Sequence, residues 1–145
     1  MGGTNRAEVE AFMERHVAAF NRHDPAALAA QHTADGVVES PMFATLRGRA
    51  AIEESHRLFL SSFPDAAITL DTLVIDSPRV AIFLTLRATH VGDFFGIAGT
   101  NRHFDVPMAR IVTMEDGLIA HERRIYDFTG LLVQIGVLRA KPAKP

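Results

Sequence analysis

The chain has 145 residues with 48% hydrophobic and 22% charged side chains, and its net charge of −2 gives no reason to expect nucleic acid or an anionic membrane as a partner. It contains no cysteine, which excludes disulfides, thiolate metal sites and cysteine nucleophiles. No apolar run is long enough to cross a bilayer, and the start of the chain lacks the charged-then-apolar order of a secretory signal. These properties predict a single cytoplasmic domain over residues 6–138, with flexible termini at 1–5 and 139–145.

Helical patterns dominate the first half of the chain. Between Arg6 and Phe20, apolar residues recur every three or four positions, which is typical of a helix with one buried face. Asp24 and Pro25 have the residue types preferred at the cap and in the first turn of a second, short helix. The predicted elements of this half are a helix over 6–20, a helix over 25–32, a turn at 35–36, a strand over 37–40 and a helix over 49–63.

The second half alternates apolar and polar residues with period two, which is typical of half-buried strands. The apolar face changes phase at Thr72, which predicts a bulge in the first of these strands. A long alternating face over 80–88 ends on His90. Asp116-Gly117 lies between two alternating runs, which is a strong hairpin signal. The remaining predicted elements are a Gly-rich loop over 92–102, a strand with Phe104, Val106, Met108 and Val112 on one face and Arg110 among them, a last strand over 118–126 and a short helix over 130–138.

This order of elements, helices first and antiparallel strands after, predicts an α+β fold in which helices cover one face of a curved sheet. If the cover is incomplete, a pocket remains between helices and sheet, and side chains on the facing surfaces become candidates for substrate binding. Packing in the core or at the rim is the alternative role of each. The substrate-binding candidates are His56, His90, His103, Arg110, Phe12, Phe20, Phe59 and Phe94.

The last strand carries the candidate catalytic residues. Period two places His121, Arg123 and Asp127 on one face, where they would supply a donor, an electrostatic clamp and an acid/base. The same alternation predicts an ion pair of Glu122 and Arg124 on the outer face. Asp127 has a second interpretation, because it precedes a short helix and aspartate is a preferred N-cap. The residues alone leave both roles of Asp127 open.

Metal, phosphate and serine-nucleophile sites are not predicted. The seven histidines do not occur at H-x-H or H-E-x-x-H spacing, so no metal site is expected. The Gly-rich loop lacks the G-x-x-x-x-G-K-(S/T) order of a phosphate-binding loop. No G-x-S-x-G segment occurs either.

Three segments of the chain have a recognisable pattern. The opening helices contain F-N-R-H-D, P-A-A-L and R-G-R-A-A-I. The loop G-D-F-F-G-I-A-G-T-N-R is similar to G-x-(F/Y)-x-G-x-x-x-T-G-R, with Asn101 where glycine is usual. The closing D-G-L-I-A-H-E-R-R-I-Y-D-F-T-G-L-L-V-Q-I-G is similar to D-G-x-I-x-E…D…L-L-x-Q-L-G. Over about residues 7–138 the chain therefore resembles the SnoaL-like polyketide cyclase family, within the nuclear-transport-factor-2-like superfamily.

The resemblance implies a cone-shaped curved antiparallel sheet wrapped by the N-terminal helices, a cystatin-like α+β barrel, with no metal and no organic cofactor. In characterised cyclases of the family, an aspartate near the end of a late strand is the general acid/base of an aldol ring closure. Asp127 is the matching position here. The superfamily also contains isomerases, epoxide hydrolases and non-catalytic binding modules, so the fold leaves the reaction open.

The leading prediction is a cofactor-independent small-molecule enzyme that performs acid/base catalysis in an apolar pocket. An isomerase or epoxide-hydrolase-like enzyme on the same fold is the first alternative. A non-catalytic module that binds a hydrophobic ligand or dimerises is the second. The predicted partners are a small hydrophobic, oxygenated molecule and a second copy of the chain, because open sheets of this type hide a face or an edge.

Overall fold

The structure is a computed structural model that describes residues 5–139. Within this range the elements, in chain order, are α1 (Arg6–Asn21), α2 (Pro25–Ala30), β1 (His32–Glu39), β2 (Leu46–Arg47), α3 (Arg49–Ser62), β3 (Ala67–Asp76), β4 (Arg79–Thr89), β5 (His103–Glu115), β6 (Leu118–Tyr126) and α4 (Phe128–Gln134). The termini predicted to be flexible lie outside the described residues, apart from Asn5 and Arg139. Asn5 is the N-cap of α1, where its side chain accepts a hydrogen bond from the backbone N–H of Glu8 at 2.9 Å.

The six strands form one curved, unclosed sheet in the order β2-β1-β6-β5-β4-β3, and the predicted α+β class is confirmed. Neighbouring strands are antiparallel except β1 and β6, which run parallel. The prediction of a purely antiparallel sheet is wrong at this one pair. Parallel strands need a long crossover, and the chain between β1 and β6, which includes α3 and the four other strands of the sheet, supplies it.

Two β-bulges change the face that a strand presents. In β3 the pairing shifts between Leu70 and Thr72, which confirms the bulge predicted there. In β6, Ile119 pairs with Met114 whereas His121 pairs with Thr113, so Ala120 is an extra residue without a partner. Because side chains alternate with period two, one extra residue reverses the alternation beyond it. The sequence did not predict this second bulge.

The turn predicted at Asp35-Gly36 is wrong, because both residues lie inside β1. The pairing of β1 with β6 is irregular between His32 and Val37. Glycine suits this irregularity, since a Cβ at position 36 would lie 3.1 Å from the Cβ of His32. The dipeptide therefore marks a disturbed strand rather than a reversal of the chain. The hairpin predicted at Asp116-Gly117 is confirmed, with φ angles of 52° and 76°.

The core lies between the helices and the face of the sheet that carries the buried side chains, here called the inner face. The inner-face residues of β4, from Val80 to Ala88, are all buried as the alternation predicts. Phe63 and Phe104 contribute large buried rings whose centroids are 5.2 Å apart. Each such ring stabilises the fold by roughly 1.5–3 kcal/mol. In the described range 5–139, no helix has the length and apolar character that crossing a membrane requires.

Candidate functional site

The bulge at Ala120 decides which residues of β6 face the core. Beyond it, Glu122, Arg124 and Tyr126 lie on the inner face. Arg123 and Asp127 are exposed, and His121 is half-buried. The predicted inward orientation of His121, Arg123 and Asp127 is therefore wrong, as is the predicted outer-face position of the Glu122–Arg124 pair. The prediction assumed an uninterrupted strand, and the extra residue reverses the two faces.

Asp127 occupies the end of β6 as the N-cap of α4. Its Oδ1 accepts a hydrogen bond from the backbone N–H of Gly130 at 2.8 Å. This is the capping role that was the alternative to acid/base chemistry. His121 forms its own contact outside the core, where Nε2 lies 2.8 Å from Oε2 of Glu39. The three predicted catalytic residues are thus not brought together around an enclosed space.

A cluster of buried charged side chains lies on the inner face of the sheet instead. Glu122 is fully buried, and its carboxylate contacts the guanidinium of Arg124, Nε2 of His32 at 3.2 Å and Nη1 of Arg110 at 3.8 Å. Arg110 and Arg124 are direct cross-strand partners on β5 and β6. Nη1 of Arg110 also donates to Nε2 of His16 at 2.9 Å. Arg110 therefore belongs to the interior, as the sequence suggested, where it contacts Glu122 and His16.

The cluster fixes the charge of its members. Burial raises the pKa of Glu122, but Arg124, Arg110 and His32 together outweigh burial and hold that pKa well below 4.5, so the carboxylate is ionised. Burial and then Arg110 lower the pKa of His16 from 6.5 to about 4, so this imidazole is neutral at pH 7. A carboxylate with a pKa this low is a structural counter-ion and a poor proton acceptor.

A hollow opens beside the cluster, between α3, the inner face of the sheet and the segment after β1. Its apolar lining consists of Phe20, Met42, Phe43, Phe59, Leu86 and Met108. Its polar lining consists of Ser40, Ser55, His56, Arg110, Arg124 and Tyr126. The hollow is narrow, since the volume open to the centre of a water molecule is about 30 Å³. That space accommodates one or two waters or a small polar group.

His56 is placed in the hollow by the amphipathic pattern of α3, which buries Ile52, His56 and Phe59 on successive turns. The Nε2 atom of His56 is buried and has no hydrogen-bond partner in residues 5–139. Burial, and then Arg124 and Arg110, lower the pKa of His56 well below 6.5. A neutral imidazole whose buried Nε2 has no partner within residues 5–139 therefore lines the hollow, and a buried polar atom of this kind calls for an explanation such as a ligand or an ordered water.

Tyr126 supplies a hydroxyl on the sheet side of the hollow. Its oxygen lies 3.3 Å from the hydroxyl of Ser40, and its cross-strand partner is Met108. Burial raises the pKa of Tyr126 above 10.0, so the phenol keeps its proton at neutral pH. A protonated phenol can donate a hydrogen bond to an oxygen in the hollow.

Four of the predicted substrate-binding residues line the hollow and four do not. His56, Arg110, Phe20 and Phe59 line it. Phe12 packs in the core beneath Arg15, and His103 is exposed with Nδ1 3.3 Å from the hydroxyl of Thr89. His90 is fully buried between Phe63 and Phe94, and its Nδ1 accepts from the backbone N–H of Thr100. Phe94 lines a neighbouring groove instead.

Three residues of the site, Arg124, Tyr126 and Ser40, were not predicted from the sequence. Uninterrupted alternation from Leu118 would place Arg124 and Tyr126 on the outer face. Ile125, the only aliphatic residue of β6 after Ala120, is exposed, so no buried aliphatic side chain marks the reversed phase. Met108 lies on the apolar face predicted for its own strand, but its pairing with Tyr126 is visible only in the structure. Ser40 gave no signal, since it follows the last residue of β1.

Among the described residues 5–139, no group of three His, Asp or Glu side chains is arranged to hold a metal ion. The expected absence of an organic cofactor stays a prediction.

Comparison with known proteins gives the same family that the motifs suggested. The family model of the SnoaL-like polyketide cyclases matches residues 10–135. TsrD from Streptomyces laurentii is 31% identical, with a TM-score of 0.82 over 92% of this chain and 98% of that one. AclR from Streptomyces galilaeus, a hydroxylase candidate, is 26% identical, with a TM-score of 0.82 over 95% of this chain and 87% of AclR.

IdmH from Streptomyces antibioticus, a candidate polyketide cyclase, is 26% identical, with a TM-score of 0.74 over 88% of this chain and 97% of IdmH. No curated protein sequence matches the chain significantly.

Proposed function

Because the chain belongs to the SnoaL-like polyketide cyclase family, we propose that it is a small-molecule enzyme that removes a proton from a carbon next to a carbonyl group. This step begins an aldol ring closure. Its place is the hollow between α3 and the sheet, and its substrate is a small hydrophobic molecule that carries several oxygens. The observation that carries the proposal is the unpartnered, neutral His56 in a hollow that also holds a protonated phenol.

His56 is the proton acceptor in this proposal. Its low pKa keeps it in the neutral, proton-accepting form at pH 7. The same low pKa makes it a weak base in the empty site, because burial and the two arginines oppose a positive charge on the ring. Removal of the proton leaves a negative enolate beside the new imidazolium, and this charge offsets the repulsion from the arginines.

Tyr126 is the hydrogen-bond donor to the enolate oxygen. Its phenol stays protonated and lines the same hollow as His56. A donor already oriented toward the oxygen where charge develops stabilises the transition state more than a water molecule that must reorient. Acid/base chemistry of this kind requires no metal and no organic cofactor, and we propose that the enzyme works without either.

Deuterium exchange tests the proposal without knowledge of the natural substrate. 4-Phenylbutan-2-one deuterated next to its carbonyl is incubated with the protein, and deuterium loss is followed by mass spectrometry. We expect catalysed loss that falls by about a hundredfold in His56→Gln and by a similar factor in Tyr126→Phe. His103→Gln is the matched control, because this histidine is exposed on β5. Unchanged exchange in His56→Gln contradicts the proposal, and a product with one added oxygen would favour hydroxylation, the chemistry for which AclR is a candidate.

We also propose that the outer face of the sheet packs against a second copy of the chain. Four exposed apolar side chains, Val74, Phe83, Ile111 and Ile125, occupy two adjacent cross-strand rows of this face. An exposed apolar surface of this kind is typical of a contact between proteins. Sedimentation equilibrium should show a dimer that Phe83→Glu converts to a monomer, whereas Val91→Glu, in an exposed loop, should leave it intact. A monomeric parent protein contradicts this second proposal.

A further inference from the structure

The polar end of the hollow carries an excess of positive charge. Two guanidinium groups, those of Arg110 and Arg124, line it, whereas one carboxylate, that of Glu122, lies behind them. His16 and His56 are neutral at pH 7 and do not alter this balance. Two buried cations that share one anion gain free energy from a second anion that enters the site.

Both arginines have donors left over for such an anion. The carboxylate of Glu122 accepts a hydrogen bond from Nε of Arg124. The two terminal nitrogens of Arg124 make no hydrogen bond within residues 5–139. Arg110 uses Nη1 for His16 and Nε for the sulfur of Met108, which leaves Nη2 without a partner in the same range. The two side chains are cross-strand neighbours, and both line the hollow.

Guanidinium nitrogens arranged in this way match a carboxylate, whose two oxygens accept hydrogen bonds in parallel. His56, whose buried Nε2 has no hydrogen-bond partner in residues 5–139, lines the same hollow. The narrow volume of the hollow, about 30 Å³, suits a head group of this size and excludes a ring system.

A second apolar cavity adjoins the hollow. Phe43 and Phe59 line both the hollow and a neighbouring groove, here called the aromatic groove, which Leu58, Phe94 and Phe95 complete. The groove is wider than the hollow, with about 300 Å³ open to the centre of a water molecule. Its exposed apolar side chains, Leu58 and Phe95, are the surface that an apolar body would cover.

We infer that the ligand of this site is an organic acid, whose carboxylate is held by Arg110 and Arg124 in the hollow while its apolar body lies along the aromatic groove. The inference deepens the proposed function, because it rests on the hollow being the substrate site and names the substrate class. In this arrangement the carboxylate orients the substrate, and His56 and Tyr126 act on the carbon and carbonyl that adjoin it.

Binding of matched probes tests the inference without any turnover. Isothermal titration at pH 7 compares 4-phenylbutanoate with 4-phenylbutanamide, which has the same body and a neutral head, and with 2-phenylethyl phosphate, which has a different anionic head. We expect the carboxylate to bind at least about tenfold more tightly than the amide. Equal affinity for acid and amide, absence of binding by all three probes, or tighter binding of the phosphate would overturn the inference.

Two neighbouring arginines provide matched variants. Arg124→Gln should lose the preference for the acid over the amide, because it removes the free donors. Arg123→Gln changes the adjacent, exposed arginine and should keep the preference. An equal effect of the two substitutions contradicts the assignment to the hollow.

A measurement on the unaltered protein covers the case in which Arg124→Gln does not fold. Nitrogen NMR of the His56 ring, titrated with 4-phenylbutanoate, should show a changed shift and a raised pKa, because a carboxylate then faces the imidazole. The amide should leave the pKa unchanged, and an unchanged pKa with the acid overturns the inference. If the acid binds in this way but deuterium exchange fails, the proposed chemistry is wrong and the binding site stands; if exchange succeeds and acid and amide bind alike, the reverse holds.

Discussion

The two faces of β6 carry similar side chains and differ in almost every physical property. On the outer face, His121 contacts Glu39 at 2.8 Å, and both side chains are close to half exposed, at 44% and 47%. On the inner face, Glu122 contacts Arg124, His32 and Arg110 with no exposure at all. Burial, rather than residue type or spacing, therefore turns a set of charges into a candidate site.

The difference is energetic as well as geometric. An exposed pair of this kind contributes about 0–1 kcal/mol, because water and salt screen it. A buried pair adds little over an apolar core, yet removal of one partner leaves an unpaired charge that costs several kcal/mol. Variants on the two faces should therefore differ in a predictable order.

The largest effect is expected from Glu122→Gln. This substitution keeps the shape of the side chain but leaves Arg110 and Arg124 without their carboxylate, so the free energy of unfolding should fall by about 3–5 kcal/mol. The matched change on the outer face, Glu39→Gln, should lower it by no more than about 1 kcal/mol. Urea unfolding at pH 7 measures both. Similar losses for the two variants would remove the distinction between the faces.

A smaller effect is expected from the titration of His16, which belongs to the buried cluster. Its folded pKa of about 4 lies below its ordinary value of 6.5, so the unfolded chain binds a proton between these values and the folded protein does not. Stability should therefore fall as the pH decreases through this window, and His16 accounts for about 2 kcal/mol of that loss between pH 7 and pH 5. His56 contributes in the same direction.

Urea unfolding of the parent protein and of His16→Gln at both pH values isolates the contribution of His16. The variant should lose about 2 kcal/mol less than the parent on going from pH 7 to pH 5. The same pH dependence in both proteins would show that this imidazole is not held in its neutral form.

The smallest effect is expected at Asp127. Asp127→Ala removes the N-cap of α4 and should lower the free energy of unfolding by about 1 kcal/mol, whereas Asp127→Asn keeps a capping side chain and should change it by a few tenths. Deuterium exchange should persist in both variants, since the carboxylate lies outside the hollow. Loss of exchange in a stable Asp127→Asn protein would restore the acid/base role that the sequence predicted.

Most of the fold could be predicted from the sequence. The helical spacing of α1 and α3, the cap at Asp24 and the alternation in β4 each express a local rule that packing then satisfies. The bulge in β3 could be predicted because apolar residues on both sides of Thr72 mark the change of face. His56 and Arg110 could be found because each interrupts an apolar face that was already visible.

The composition of the site could not be predicted, because its residues on β6 do not interrupt an apolar face that is visible in the sequence. Beyond Ala120 the inner face of β6 consists of Glu122, Arg124 and Tyr126, which carry no apolar mark, while Ile125 points outward. The family motif located a carboxylate late in the last strand, and the structure has one, but the buried carboxylate is that of Glu122. Only the pairing of β6 with β5 separates the two acids, and pairing is a tertiary property.

The extra residue at Ala120 has a consequence for how proteins of this family diverge. A single insertion or deletion at this point exchanges the side chains of the rest of β6 between core and surface without altering any of them. A lineage can thus carry a second set of polar residues on the outer face of the strand, and one insertion or deletion would turn that set toward the core. Relatives that share the same residues in this segment can therefore bury different side chains.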